Sequence, residues 1–330
     1  MYESYYGLSA KPFQLKPDPH FFFGSKGHKR AMAYLEYGLS QGEGFIVITG
    51  EIGAGKTTLM RNLFSTLESK KILAAHIVNT RLDSDDTLRM VAAAFELPYE
   101  NVSKAGLLTR LEQFFRYCDN QGKRVLLVVD EAQNLSPRTI EELRMLSNFQ
   151  TEDKSLLQTF LLGQPEFKNT LMSGGMQQLR QRVIATYHLG PMDAAETQAY
   201  IEHRLHTTGW QDNPSFSDAA FTAIHDYTGG IPRKINSLCD RLLLMGYLEE
   251  IHAFDDTEVS EVINDIEQEF ELPVPVDDPK NASAIAGESP GENVPEQLQN
   301  RDERLAKIEK AILCILDLLR KILPSPGTLK

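Results

Sequence analysis

The sequence has 330 residues, of which 42% are hydrophobic and 24% are charged, and its formal net charge is −12. This length exceeds one average domain, so we expect two compact units, or one domain with appendages, in a globular protein. With 46 acidic against 34 basic residues and no basic run, the charge disfavours duplex DNA as a partner, because nucleic-acid affinity depends on Lys and Arg that neutralise phosphates.

Export and membrane insertion are also disfavoured. The first residues lack a basic segment followed by an apolar one, as a secretory signal would require. No apolar stretch approaches the roughly 20 residues needed to cross a bilayer. Cys118, Cys239 and Cys314 form no CxxC pair, which is typical of a reducing compartment. The sequence therefore predicts a cytoplasmic protein without a transmembrane segment.

Residues 1–40 form an N-terminal segment rich in aromatic residues and proline, followed by a first helix. Residues 41–192 then alternate short apolar runs with helical segments, which is the pattern of an α/β domain with a largely parallel sheet. The apolar runs are nearly continuous, as in strands buried on both faces. The predicted strands are Phe45–Gly50, Ile72–Asn79, Val125–Asp130, Leu156–Gly163 and Val183–Leu189.

Strand patterns stop after Met192, and residues 193–270 predict an all-helical unit. Ser217 is a suitable N-cap, and Pro232 stands where proline is tolerated, in the first turn of a helix. The predicted helices are Ala194–Thr207, Ser217–Tyr227, Pro232–Glu249 and Asp255–Phe270.

Residues 271–299 contain five prolines and six acids against one base, a composition typical of a linker. Residues 300–323 then predict an amphipathic or coiled-coil helix. A helix this short is marginal alone, so we expect it to pair with a copy of itself, with a partner helix or with a surface. Folding back onto the body of the protein is the alternative. The apolar seam consists of Leu305, Ile308, Ile312, Ile315, Leu319 and Ile322.

The segment GEIGAGKTT satisfies the pattern GxxxxGK[ST] between a predicted strand and a predicted helix, which is the context of a P-loop. Its backbone N–H groups and the positive end of the helix dipole would hold phosphates. Lys56 would reach the β- and γ-phosphates of ATP, and the Thr57 hydroxyl would bind Mg²⁺. The predicted nucleotide-binding residues here are Gly50, Glu51, Ile52, Gly53, Ala54, Gly55, Lys56, Thr57 and Thr58.

The run VLLVVDEAQ ends a predicted buried strand in two adjacent carboxylates, which a core strand would not tolerate without a purpose. Asp130 suits Mg²⁺, directly or through water, and Glu131 suits a base that polarises the attacking water. A strand that merely ends at the surface is the alternative. Gln164 follows another predicted strand, and we predict that it senses hydrolysis, with an ordinary glutamine at the end of a strand as the alternative.

Three arginines are candidates for the γ-phosphate. Arg180 and Arg182 precede the fifth predicted strand, and either could act on a neighbouring subunit's site. Arg233 begins a helix after Gly229 and Gly230, and we predict that it contacts the phosphates from the helical unit. Ordinary surface charge is the alternative for each.

The aromatic group Phe13, Phe21, Phe22 and Phe23 is interleaved with prolines. We predict that it packs over the sheet edge and helps to enclose the adenine. A platform on which nucleic-acid bases stack is the alternative.

The flanking segments resemble one family. These are the opening MYESYYGLSAKPFQLKPDPHFFF, the stretch AMAYLEYGLSQGEGFIVITGEIGAGKTTL, DEAQ, LLGQPEF and GGIPRKIN. From residue 2 to about residue 270 the chain resembles the AAA+ ATPases of the general secretion pathway A type, and among them the secretion ATPase found with exosortase and PEP-CTERM loci. Such proteins often continue into a transmembrane helix and a peptidoglycan-binding domain, whereas here the linker and the heptad helix follow.

The resemblance implies an α/β fold, in which a P-loop AAA+ parallel sheet is sandwiched by helices and followed by a helical lid. It implies ATP and Mg²⁺ as ligands, and Mg²⁺-dependent hydrolysis that powers or regulates a secretion or exopolysaccharide assembly system at the inner membrane. It also implies a homo-oligomer, with a ring as one form, and leaves peripheral membrane attachment open. The alternatives are a DNA-handling AAA+ ATPase of the transposition-helper kind and a nucleotide-dependent scaffold with little turnover.

Overall fold

Five parallel strands form the central sheet of the computed structural model, which describes residues 1–67, 71–78 and 84–271. The strand order is β2-β3-β4-β1-β5. β1, β3 and β4 are inner strands, and nearly all their residues are buried, as their continuous apolar runs predict. The predicted parallel sheet is therefore confirmed. The strands are β1 Phe45–Gly50, β2 Ile72–Ile77, β3 Arg124–Val129, β4 Leu157–Gly163 and β5 Val183–Leu189.

Helices cover both faces of this sheet, because alternate residues of each strand point to opposite sides. Ile46 and Ile48 of β1 pack with apolar residues of α2 and α3. Phe45 and Val47 of the same strand pack with residues of α4 to α8 on the other face. The helices are α2 Lys26–Gln41, α3 Lys56–Leu67, α4 Ser84–Ala94, α5 Lys104–Asn120, α6 Pro137–Leu146, α7 Glu166–Met172 and α8 Gln177–Arg180.

In the described part of the chain four further helices follow Met192, as predicted, and we call residues 193–271 the lid. Asp193 and Glu196 form a capping box at the first of them, and Ser217 caps the second by accepting from the N–H of Ala220. The lid also contains a parallel pair of two-residue strands, β6 Ser215–Phe216 and β7 Ala253–Phe254, too short to leave a sequence period. The lid helices are α9 Ala194–Thr207, α10 Asp218–Thr228, α11 Pro232–Leu248 and α12 Asp256–Glu271.

The N-terminal segment packs against the lid. Tyr2 and Tyr6 of α1 Tyr2–Tyr6, together with Phe13, are buried in the same cluster as Ile201 and Leu238 of the lid. The prediction that Phe13 covers the sheet edge is therefore wrong. The apolar character of a residue predicts that it is buried, but the local sequence does not predict which part of the protein it packs against.

Two predictions fall outside the described residues. Apart from Glu271, the linker 271–299 and the helix 300–323 belong to the part of the chain that the structure does not describe, and so does Cys314. In the described part, Cys118 and Cys239 are buried free thiols, and burial raises the pKa of both. Among the described residues, no helix has the length and apolar character that a membrane crossing requires.

Candidate nucleotide-binding site

The P-loop connects the end of β1 at Gly50 to the start of α3 at Lys56. Gly53 and Gly55 have φ of +84° and +93°, in the region that side chains with a Cβ disfavour. A Cβ on Gly53 would lie 2.4 Å from Cβ of Arg233, and one on Gly55 would lie 2.7 Å from Nε2 of His28. Both positions therefore require glycine, because the backbone turns there and because Arg233 and His28 leave no room for a Cβ.

Most of the predicted P-loop residues line one cleft. These are Ile52, Gly53, Gly55, Lys56, Thr57 and Thr58. The backbone of Gly50, Glu51 and Ala54 supports the loop from outside the lining, and the N–H of Ala54 donates to the carbonyl of Glu51 at 3.1 Å. This part of the cleft is therefore formed by the loop and the first turn of α3, an arrangement that suits phosphates.

Lys56 is buried, with 7% of its surface exposed. Its Nζ donates to the carbonyls of Gly50 at 2.7 Å and Glu51 at 3.0 Å. Burial lowers the pKa of Lys56, although the carboxylates of Glu131 and Asp130 oppose that shift. A buried ammonium is stabilised by anions, so this residue is suited to a phosphate.

Thr57 and Asp130 provide an oxygen pair for a metal. The Thr57 hydroxyl donates to Oδ2 of Asp130 at 2.8 Å, and Asp130 is 2% exposed at the end of β3. A hydroxyl and a carboxylate are oxygen ligands of the kind that Mg²⁺ takes, together with water and substrate phosphates. The pair therefore fits the predicted metal.

Glu131 lies in the cleft directly after Asp130. Its φ is +54°, which is uncommon outside glycine, and its backbone N–H donates to Oδ1 of Asp130 at 2.9 Å. Its Oε2 accepts from Nε2 of Gln133 at 2.5 Å and from Nε2 of Gln164 at 3.3 Å. The structure thus places the predicted base beside the predicted sensor. Their catalytic roles stay predictions.

Arg233 approaches the P-loop from the lid. Its backbone N–H donates to the carbonyl of Gly53 at 3.2 Å, and its exposed side chain lines the same cleft. The start of α11 therefore rests on the phosphate loop. The Arg233 side chain thus lies in the same cleft as the P-loop, where the predicted contact with phosphates would be made.

Arg180 and Arg182 do not line this cleft. Nη1 of Arg180 donates to the carbonyls of Leu171 at 2.6 Å and Ser173 at 2.8 Å. Nη1 of Arg182 donates to Ser147 Oγ at 2.9 Å. Both side chains therefore bond to the C-terminal ends of helices in their own chain, α7 and α6, and a role in a neighbour's site stays a prediction for either.

The N-terminal segment and α9 also line the cleft, and of these two elements the sequence identified only the aromatic residues of the N-terminal segment. Phe21, Phe22 and Phe23 line it, as the enclosing role of these aromatics predicts, and so do Tyr200 and Arg204. The run of three phenylalanines was the available signal. No comparable signal marks Tyr200 and Arg204, because they lie on an ordinary amphipathic helix.

Arg204 ties the N-terminal segment to the lid. It is 6% exposed, and its guanidinium donates to the carbonyls of Pro12 at 2.5 Å and Gln14 at 3.3 Å and to Tyr200 Oη at 2.9 Å. It also lies 4.8 Å from the centre of the Phe21 ring. The side chain therefore holds residues 12–14 at the edge of the cleft.

Replacement of Arg204 by Met should lower the free energy of unfolding by about 2–4 kcal/mol, because buried charged hydrogen bonds are lost and their carbonyl acceptors lose partners. Urea unfolding measures this change. The matched control is Arg241→Met on the outer face of α11, where an exposed pair with Glu269 should contribute less than about 1 kcal/mol. Equal losses in the two variants would contradict the anchoring role of Arg204.

His28 should make stability depend on pH. Burial lowers its pKa to about 4, whereas an unfolded His titrates near about 6.5. Between these values the unfolded chain binds the proton and the folded protein does not, so stability is lost as the pH falls through this window. We expect a loss of at most about 1.4 kcal/mol per pH unit from this group.

The measurement is urea unfolding from pH 4.5 to 7.5 for the wild type and His28→Asn. The variant should show a flatter dependence on pH than the wild type. His20→Asn is the control, because His20 is exposed and its replacement should leave the wild-type slope in place. A wild-type slope in His28→Asn would refute the prediction.

The parallel sheet, the phosphate loop and the carboxylates at the end of β3 define a P-loop protein with the AAA+ fold. Residues 39–171 match the family described as an AAA domain. Over 261 residues the chain is 39% identical to the General secretion pathway protein A of Aeromonas hydrophila, covering 79% of this chain and 47% of that protein. The chain thus spans about half the length of this relative.

Solved structures share the fold. The Aeropyrum pernix ORC2 protein, in its ADPNP–ADP complexes, matches with a TM-score of 0.58 and 16% identity over 78% of this chain and 71% of its own. Drosophila ORC bound to DNA matches with a TM-score of 0.56 and 17% identity over 78% of this chain and 67% of its own. At these identities the likeness concerns the fold, and the fold is one that holds adenine nucleotides in the first of these proteins.

Proposed function

We propose that the chain is a Mg²⁺-dependent ATPase of the general secretion pathway A type. The observation that carries the proposal is the joint placement of Lys56, Glu131 and Gln164 in one cleft, with Thr57 and Asp130 in contact beside it. A protein that only bound ATP would not need the carboxylate of Glu131 in the cleft, whereas hydrolysis needs a base. Together these groups supply phosphate binding, metal ligation and a base.

Each residue has a separate task in this reaction. Lys56 and the P-loop N–H groups orient the phosphates, while Thr57 and Asp130 would hold the metal. Mg²⁺, when bound, neutralises charge on the β- and γ-phosphate oxygens. Glu131 orients and polarises the attacking water, Gln164 contacts the γ-phosphate as sensor, and Arg233 brings the lid onto the nucleotide.

We further propose that the ATPase works in a membrane-associated secretion or exopolysaccharide assembly system, of the kind found with exosortase and PEP-CTERM loci. The identity to General secretion pathway protein A supports secretion, and the resemblance of the flanking segments supports the narrower locus. The active form in this proposal is a homo-oligomer, with Arg180 or Arg182 completing a neighbour's site. In this proposal the ATPase acts in the cytoplasm and is attached peripherally to the inner membrane.

Phosphate release tests the reaction directly. Wild type should release phosphate from ATP only when Mg²⁺ is present, and Lys56→Ala should lose both release and the binding of a fluorescent ATP analogue. Release that continues without Mg²⁺, or that Lys56→Ala retains, would contradict the proposed site.

DNA handling is the second candidate, since ORC bound to DNA shares this fold. The net charge of −12 argues against it, because phosphate neutralisation supplies most non-specific DNA affinity. Binding to duplex DNA should be measured at low salt with ATP and Mg²⁺. Micromolar affinity that decreases steeply with added salt would favour this candidate over secretion.

A further inference from the structure

Gln133 lies between the two polar residues that follow β3 and β4. Its Nε2 donates to Oε2 of Glu131 at 2.5 Å, and its Oε1 accepts the backbone N–H of Gln164 at 2.9 Å. It belongs to a short 3₁₀ turn, Ala132–Asn134, that begins immediately after Glu131. One side chain therefore joins the predicted base to the strand that carries the predicted sensor.

The orientation of the Gln133 amide is determined by its two partners. Only the amide oxygen can accept from a backbone N–H, and only the amide nitrogen can donate to a carboxylate. Exchange of the two atoms would remove both hydrogen bonds. The backbone of Gln164 therefore fixes which end of the Gln133 amide faces Glu131.

The two contacts to Oε2 of Glu131 are unequal. The Gln164 contact, at 3.3 Å, is longer than an ordinary N–H···O hydrogen bond, whereas Gln133 is held by a second hydrogen bond, from the backbone N–H of Gln164. Gln164 also lines the cleft and Gln133 does not. Gln164 is thus the partner that can exchange Glu131 for a ligand, while Gln133 can remain bonded to it.

We propose that Gln133 is a positioning residue that holds the Glu131 carboxylate in register with the end of β4 during ATP hydrolysis. This inference rests on the proposed function, because it assigns Gln133 a task in that reaction. Asp130, which directly follows β3, holds the backbone of Glu131, and Gln133 holds its carboxylate. A group so placed affects turnover and leaves nucleotide affinity unchanged.

The test uses the full chain with Gln133→Met, which loses both hydrogen bonds, and Gln133→Glu, which keeps an acceptor for Gln164 and places a second carboxylate beside Glu131. We expect each variant to lower kcat by about 10- to 100-fold and to change the dissociation constant of a fluorescent ATP analogue by less than about twofold. The matched controls are Gln113→Met and Gln113→Glu on the exposed face of α5, which carries no residue of the cleft. These should match the wild type.

The outcomes separate this inference from the proposed function. If wild type releases no more phosphate than Lys56→Ala, the ATPase proposal fails and the inference fails with it. If wild type is active and Gln133→Met has the same or a higher kcat, the inference alone is wrong. Loss of kcat with an equal loss of ATP affinity would show a merely structural role and would also refute it.

Discussion

Replacing Glu131 with Gln is expected to slow ATP hydrolysis by about 10²–10⁴-fold, the usual contribution of a general base, while ATP still binds. Glu131 lies in the cleft with Lys56, and its carboxylate attracts the Lys56 ammonium. The amide keeps the shape of the side chain and loses its basicity. Single-turnover phosphate release and binding of a fluorescent ATP analogue measure the two effects separately.

Glu166→Gln is the control for the change in charge. Glu166 also attracts Lys56 but stands exposed at the start of α7, outside the cleft lining. Its replacement should change kcat by less than about threefold. Equal and near-zero rates in wild type and Glu131→Gln would support the nucleotide-dependent scaffold instead, and equal, substantial rates would show that Glu131 is not the base.

The sequence could predict the phosphate end of the site because its residues follow strands with recognisable apolar runs. Parallel strands bring their carboxyl ends to one edge of the sheet, so Gly50, Asp130 and Gln164, which end or follow such strands, lie at the same edge. The strand order was not predictable. It places β4 directly between β1 and β3, and this neighbourhood brings Gln164 to Glu131.

The part of the cleft that the N-terminal segment and α9 line was harder to predict for a physical reason. Arg204 contacts Pro12 and Gln14 across more than half of the chain, and no local pattern records a pairing over that distance. His28 lies next to Gly55, although it belongs to α2, which precedes the sheet in the sequence. Short-range periodicity determines which face of a helix is buried, while the partner on the other side depends on the whole fold.

Replacement of Gly53 by Ala is expected to weaken ATP binding by about 10- to 100-fold, which is about 1.4–2.8 kcal/mol. The new Cβ would lie 2.4 Å from Cβ of Arg233 and 3.2 Å from its Cδ, so the start of α11 could not stay on the loop. The contact between the Arg233 N–H and the Gly53 carbonyl would be lost with it. Calorimetric titration with ATP and Mg²⁺ measures the change.

Gly209→Ala separates backbone strain from this collision. Gly209 has the same φ of +84° as Gly53, and nothing lies within 4 Å of the position that its Cβ would take. Gly209→Ala should lose about 1–2 kcal/mol of stability, the cost of a left-handed backbone for a residue with a Cβ, and Gly53→Ala should lose at least as much, because it adds the collision with Arg233. Only Gly53→Ala should lose ATP affinity, because only there does the Cβ displace the lid from the phosphate loop. Equal ATP affinities in the two variants would show that the contact between α11 and the P-loop does not contribute to nucleotide binding.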